Sequence, residues 1–241
     1  MLQGYEVALI EGAVVTLKVA LWSLLLALIL GLAGALAKLS SIKLLRWLAT
    51  GYTTVIRGIP DLILMMLIFF GGQVLLNNSL VTFQEWASDS RFQESWLSTL
   101  PDYIEISPFV AGILTIGFIF GAYMTETFRG AMLAVDKGEL EAARAYGMSS
   151  TLVLRRILLP QLMRHALPGL GNNWLVLLKT TALVSIIGLD DIVRKASLAA
   201  GATQLPFTFY FAVALVFLLF TAVSSLLLSW AERHYALAPR A

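Results

Sequence analysis

Few side chains in this sequence of 241 residues could do chemistry, and most of those are charged groups set in or beside apolar runs. Cysteine is absent, which excludes disulfides, thiolate metal sites and cysteine nucleophiles. His165 and His234 are far apart in sequence and make a poor metal site. Because neither a Gly-x-x-x-x-Gly-Lys-Ser/Thr loop nor a Gly-x-Ser-x-Gly element is present, we expect no ATP site, no cofactor and no catalytic centre in this chain.

Glu126 and Lys179 are charged residues within apolar runs, where an ionised side chain is costly and usually has a function. Glu126 closes one run, and it either pairs with Arg129 one helical turn later or lines a translocation path. Lys179 lies in another run, and we expect it to face the bundle interior or a partner subunit, in a structural or gating role.

Polar residues around the fourth apolar run form a second group. Asp190 and Asp191 follow that run, where they could attract a cation or cap a helix. Asn172 and Asn173 lie inside it, and their amides are typical of hydrogen bonds between membrane helices. Asn173, Asp190 and Asp191 are therefore candidates for the translocation path.

The elements that must position these residues are membrane spans. The chain is 59% hydrophobic and 13% charged, whereas soluble domains carry about 25% charged residues. A span needs about 20 mostly apolar residues, and five stretches approach this length. The predicted fold is an all-α membrane domain over residues 1–241 with spans at about 13–37, 57–76, 108–128, 167–189 and 206–230.

The distribution of Lys and Arg predicts the orientation of these spans. Both residue types concentrate after the first run, in the segment 130–165 and in the tail, and they are sparse elsewhere. By the positive-inside rule, these regions and the C-terminus are cytoplasmic, and the N-terminus is outside. The first residues carry Glu6 and Glu11 but no early Lys or Arg, so we expect a retained span and not a secretory signal.

The segment 130–165 is a polar island between apolar runs. Asp136 and Glu139 suit the start of one short helix, and Gly147 suits its end. Ser149 or Ser150 can cap a second helix, which Pro160 should limit. On the first helix, Leu140, Ala143 and Gly147 would share a smooth face that another backbone could approach. The alternative to such a docking segment is an amphipathic hairpin that lies on the membrane surface and binds no partner.

Fixed spacing in the island carries a resemblance to a known family. The segments Glu141-Ala142-Ala143, Gly147, Ile157 and Leu159-Pro160 match at every position the signature loop of ABC importer membrane subunits. The resemblance implies that the first helix is a coupling helix that docks on a cytoplasmic ATPase. The coupling residues would be Glu141, Ala142, Ala143, Gly147, Ile157 and Pro160.

Other segments resemble the polar amino acid permeases within that family. Arg57-Gly58-Ile59-Pro60-Asp61 resembles their Arg-Gly-x-Pro element, which makes Arg57 and Pro60 further candidates for the translocation path or its gating. Segments 122–130 and 179–183 resemble the end of their third span and part of their fourth. The outer loop around 83–100 is longer than the family pattern, so no contact with an external protein is assigned to it.

The resemblance implies an ATP-driven importer of polar amino acids in the bacterial inner membrane. The expected substrates are basic, namely histidine, lysine, arginine and ornithine, with glutamine or an opine-type derivative as alternatives. The expected partners are a homologous second permease, two ATPase subunits that bind ATP and Mg²⁺, a periplasmic binding protein and the lipid bilayer, with no nucleic acid. An ATP-independent channel remains a remote alternative, because composition alone would also fit it.

Overall fold

The computed structural model describes residues 2–89 and 101–235, and within these ranges the only regular elements are helices. The helices are α1 (Glu6–Leu39), α2 (Lys43–Gly58), α3 (Asp61–Met66), α4 (Gly72–Asp89), α5 (Pro108–Ala134), α6 (Lys137–Ala145), α7 (Ser150–Val153), α8 (Leu159–Thr180), α9 (Ile192–Thr203) and α10 (Pro206–Tyr235). A π turn at Leu67–Gly71 joins α3 to α4, and another at Leu154–Leu158 joins α7 to α8. A 3₁₀ helix at Thr181–Ile187 follows α8.

Five long apolar helical segments could cross a membrane within the described residues, and this number agrees with the prediction. They are Glu6–Leu39, Asp61–Trp86, Pro108–Ala134, Ser150–Ile187 and Pro206–Tyr235. All are longer than the predicted spans, because hydropathy marks the part of a helix in lipid and not where helical hydrogen bonding ends.

The core of the bundle is built around α5, the most buried of these segments. Helix α1 packs along it, and Gly31 and Gly34 make the approach close. A Cβ atom on Gly31 would lie 2.4 Å from the Met124 Cβ, and one on Gly34 would lie 2.3 Å from the Thr125 Oγ1. Helix α10 by contrast has few fully buried residues.

The second span begins later than the predicted residue 57, because the chain breaks there. Helix α2 ends at Gly58, Ile59 is extended with φ −112° and ψ 139°, and α3 starts at Asp61. Pro60 causes the break, since proline lacks a backbone donor and disfavours a helical conformation in the residue before it.

The same span also continues past residue 76, where the sequence predicted an outer loop. The amide groups of Gln73 and Asn77 explain this difference. Gln73 Oε1 accepts a hydrogen bond from Ile106 N at 2.9 Å, and Asn77 Oδ1 accepts one from Ile104 N at 2.8 Å. These polar residues therefore hold the returning chain against the helix. The rest of the predicted loop, residues 90–100, lies outside the described residues.

The second helix of the polar island does not stop at Pro160, contrary to the prediction. It runs from Ser150 through α8 as one segment and enters the fourth span. The π turn at Leu154–Leu158 lies directly before Pro160. A widened turn accommodates the proline ring and the missing donor without ending the helix.

Candidate functional site

Helix α6 forms the first arm of the polar island, and its two ends are fixed by local hydrogen bonds. Asp136 caps the start, where its Oδ1 accepts a hydrogen bond from Gly138 N at 2.8 Å. At the end, Gly147 has φ +78°, its N donates to Arg144 O, and Met148 N donates to Ala143 O. This pair of bonds is a Schellman motif, and it stops the helix at the glycine that the sequence singled out.

The free face of α6 is not the face that periodicity suggested. Ala143 is buried and Leu140 is half-buried, so two of the three residues of the predicted face lie against the chain itself, while Gly147 is exposed. Glu141, Ala142 and Tyr146 lie on the exposed side, and Tyr146 is 90% exposed. Sequence spacing identifies residues that share a face, but only the packed structure decides which face remains free.

The second arm of the island is braced against the first. Gln161 Nε2 donates a hydrogen bond to Glu139 Oε2, which links the start of α8 to α6. Ser149 occupies the cap position of α7, although its hydroxyl makes no capping hydrogen bond. Of the two remaining motif residues, Ile157 is half-buried and Pro160 is exposed. Movement of α6 would therefore reach the fourth span through this brace.

A charged cluster joins three helices where the third span approaches the island. Glu126 of α5 forms ion pairs with Arg129 Nε, at 2.9 Å, and with Lys38 Nζ of α1. Lys38 also donates to Thr53 Oγ1 of α2 at 2.7 Å. The pair with Arg129 was predicted, whereas Lys38 lies one residue beyond the first span predicted at 13–37 and was therefore expected in the loop that follows. It lies inside α1 with its side chain 11% exposed, so that assignment was wrong.

The break between α2 and α3 places polar groups at the start of the second span. The Arg57 guanidinium lies over the Tyr123 ring, 5.5 Å from its centroid, and Asp61 is near enough to act electrostatically on Tyr123. Tyr123 precedes Glu126 by about one helical turn, so this cluster lies near the end of the third span that approaches the island. Pro60 itself is exposed beside the break.

The two candidates in the fourth span occupy different environments. Asn173 Nδ2 donates to Thr127 Oγ1 at 3.0 Å and so connects α8 to α5, as expected of an amide between helices. Asn172 is exposed. Lys179 is also exposed, which excludes the bundle interior of this chain, and no ion pair involves it among residues 2–89 and 101–235.

The acidic pair after the fourth span is divided between two roles. Asp191 caps α9, because its Oδ1 accepts a hydrogen bond from Arg194 N at 2.9 Å, while its Oδ2 is buried without a partner within the described chain. Burial raises the pKa of the Asp191 carboxyl to about 6. Asp190 remains exposed and pairs with Arg194 Nε at 3.0 Å. Of the two roles expected for this acidic pair, Asp191 therefore has that of a helix cap.

The sequence profile of one protein family covers most of the chain. The family is described as "Binding-protein-dependent transport system inner membrane component", and it matches residues 17–236. The chain belongs to this family. The five apolar helical segments agree with its description as a membrane component.

Individual relatives of this family resemble the chain over nearly its whole length. The histidine/lysine/arginine/ornithine transport system permease protein HisQ of Salmonella typhimurium is 49% identical over 236 residues, covering 98% of this chain and 96% of HisQ. The octopine transport system permease protein OccQ of Rhizobium radiobacter is 42% identical, covering 95% and 90%. A crystal structure of an amino acid ABC transporter with histidines aligns with a TM-score of 0.74 at 33% identity, covering 95% of each chain.

Sequence reasoning about this inner membrane component missed three residues that the structure brings into its polar clusters. Lys38 was assigned to a loop, Asp61 was quoted only as part of a motif, and Gln161 was not considered. A signal existed for Lys38, since it lies one residue beyond the predicted first span and a helix does not end where hydropathy falls. Asp61 follows a proline in an apolar run, which is typical of a broken membrane helix.

Proposed function

We propose that this permease imports basic amino acids as part of an ATP-driven, binding-protein-dependent transporter. The observation that carries the proposal is the similarity to HisQ over nearly the whole of both chains. OccQ supports the alternative of an opine-type substrate, because its similarity is only somewhat lower. The chain itself would be non-catalytic, and a partner ATPase would bind ATP and Mg²⁺.

The assembly we infer contains this chain, a homologous second permease, two ATPase subunits and an external binding protein. A different second permease is favoured over an identical copy. Helix α6 would dock on one ATPase through its exposed side, where Glu141 and Ala142 lie. When the ATPase subunits close, the docked helix moves, and the brace between Glu139 and Gln161 carries that movement into α8. Coupling then depends on contacts that differ between the two states.

The translocation path is proposed to pass the break between α2 and α3. The break exposes backbone groups and a helix start at the beginning of the second span, and breaks in the helices of transporters are where binding sites form. Arg57 and Asp61 supply opposite charges there, which suits the ammonium and carboxylate groups of an amino acid. For Glu126, a structural role in ion pairs is favoured over a role in the translocation path, because two cations already share its carboxylate.

Reconstituted uptake tests the function and its substrate class. The chain would be inserted in proteoliposomes with the second permease, the ATPase and the binding protein, and entry of labelled arginine would be measured. We expect uptake only with ATP hydrolysis, and competition by unlabelled lysine, ornithine and histidine. Competition by octopine or glutamine alone would favour the alternative substrates, whereas flux without ATP would indicate a channel.

The docking role of α6 is tested by Glu141→Lys. Glu141 is exposed on the free side of the helix, so its reversal should leave the bundle folded but remove co-purification of the ATPase and abolish uptake. Glu232→Lys is the matched control, because it makes the same charge change at an exposed site on α10, outside the island. Intact co-purification with Glu141→Lys would contradict the docking role.

A further inference from the structure

Helix α2 has three distinct faces, and only one of them packs against the bundle. Ala49, Thr53 and Ile56 are buried and form the inner face. The exposed face on one side is apolar, with Leu44, Leu48 and Val55 at least half exposed. The remaining face is polar and runs through Lys43, Arg46, Trp47 and Thr50. A helix with adjacent apolar and cationic faces is typical of the boundary between lipid and water.

The cations on the polar face of α2 have no acidic partner among residues 2–89 and 101–235. Between Glu11 and Asp61 the sequence contains no Asp or Glu. Lys38 is held by Glu126 and Arg57 lies over Tyr123, but neither Lys43 nor Arg46 forms an ion pair in the part of the chain that the structure describes. Two cations one helical turn apart therefore remain available to an anion.

A shallow, open groove lies between side chains of the same face. Its volume is about 420 Å³, and it is lined by Lys43, Arg46, Trp47 and Thr50. Trp47 is 72% exposed, so its indole offers both an apolar surface and an N–H donor beside the two cations. A phosphodiester with an attached acyl chain matches this arrangement, because it needs positive charge at one end and apolar contact at the other.

We propose that the start of α2 binds an anionic phospholipid, such as phosphatidylglycerol, through Lys43, Arg46 and Trp47. The phosphate lies between the two cations, and the acyl chains lie against Leu44 and Leu48. The position along the chain supports a lipid over a soluble anion. Helix α1 has 34 residues and a length of about 50 Å, which exceeds the hydrocarbon layer, so α2 begins at a membrane surface.

Charge complementarity favours the membrane over a protein partner on this face. Charge counting assigns the start of α2 to the cytoplasmic side, whose leaflet is rich in anionic lipids that attract Lys and Arg near the surface. An aromatic residue beside these cations is also the expected interfacial anchor. The inference goes beyond the transport function, because it requires only that the chain lies in a bilayer.

Equilibrium binding of fluorescent phosphatidylglycerol and phosphatidylcholine to the full chain in neutral detergent tests the proposal. We expect the unaltered chain to prefer phosphatidylglycerol. Lys43→Gln with Arg46→Gln should weaken that binding about ten- to thirty-fold, since each basic residue near an anionic surface contributes about 1 kcal/mol. Binding of phosphatidylcholine should be unchanged. Arg155→Gln with Arg156→Gln is the control, because it removes the same charge from two other exposed residues.

Several outcomes would overturn the proposal. One is equal loss of lipid binding in both double variants, which would indicate a general charge effect. Another is displacement of the lipid by inorganic phosphate at equal concentration, which would assign the groove to a free anion. A third is loss of the phosphatidylglycerol preference in the assembled transporter, which would make this face a protein interface. Trp47→Ala should weaken binding independently of charge, and it gives a second variant should the first not fold.

Discussion

At the scale of single residues, the charged cluster around Glu126 is the main polar link between the helices of this permease. The carboxylate of Glu126 is shared by Lys38 and Arg129, and its side chain is only 19% exposed. Removing one partner of such a pair leaves an uncompensated charge, which costs more than the pair itself contributes to stability. The cluster also ties α1, α2 and α5 together through Thr53.

Glu126→Gln should therefore lower the free energy of unfolding in mixed micelles by about 2–4 kcal/mol, near the range for a broken buried pair. Lys38→Met should cost a similar amount, but the double variant should cost much less than the sum, because the partners act as one unit. Arg129→Gln should lower the free energy of unfolding by less, since that side chain is 37% exposed. If the double variant lost the sum of the unfolding free energies lost by Lys38→Met and Glu126→Gln, this coupling would be contradicted.

Asp191 makes stability depend on pH in the opposite sense to most carboxylates. Its pKa is raised from 3.8 to about 6, so the folded chain binds the proton more tightly than the unfolded chain does. The free energy of unfolding should fall as pH rises from about 4 to about 6, by at most about 3 kcal/mol. Asp191→Asn keeps the helix cap, and it should abolish this slope and raise stability at neutral pH. Asp190→Asn, at an exposed site, should leave the slope of a pH-dependent unfolding series unchanged.

At the scale of elements, the contact between α1 and α5 depends on the absence of side chains. A Cβ atom on Gly31 would meet the Met124 Cβ at 2.4 Å and the Met124 backbone carbon at 3.0 Å, so the helices would have to separate. Such overpacking typically costs about 1–3 kcal/mol. The same close approach sets the spacing at which Lys38 reaches Glu126.

Gly31→Ala should consequently lower the unfolding midpoint in detergent and loosen the Lys38–Glu126 pair. Gly51→Ala is the matched control, because an added Cβ there meets nothing within 4 Å. That change should be neutral or stabilising by up to about 1 kcal/mol, since alanine favours helix over glycine. Similar behaviour of the two variants would show that the close approach does not limit stability.

At the scale of the whole molecule, the proposed assembly makes this chain one part of a larger bundle. Helix α10 has few fully buried residues, and Lys179 is exposed on a membrane helix without an ion pair in the described part of the chain. An unpaired lysine at the centre of a membrane helix costs about 2.5–3.5 kcal/mol. Its exposure on the single chain is consistent with the proposed second permease covering it.

Lys179→Met should therefore make the isolated chain easier to insert, because an apolar group replaces a charge. In the assembled transporter, the same change should reduce co-purification of the second permease and lower uptake. Lys18→Met serves as the control at another exposed lysine, on α1, where we expect no loss of assembly. Equal assembly with Lys179→Met would argue that Lys179 faces lipid or water and not the partner.

By itself, the sequence determined the class of the protein and the number of spans, and it predicted the location of the coupling segment. Each of these depends on local quantities, namely the hydropathy of about 20 consecutive residues and a fixed motif around Glu141 and Gly147. The cap at Asp136 and the turn at Gly147 could also be predicted, because both involve residues close in sequence.

Only the tertiary structure decided which groups meet across the bundle and which faces remain free. The pairing of Lys38 with Glu126 spans 88 residues of sequence, and the inward turn of Ala143 depends on neighbouring helices. Periodicity gives the residues on a helix face but not its rotation in the bundle, since that rotation is set by packing against elements distant in the chain.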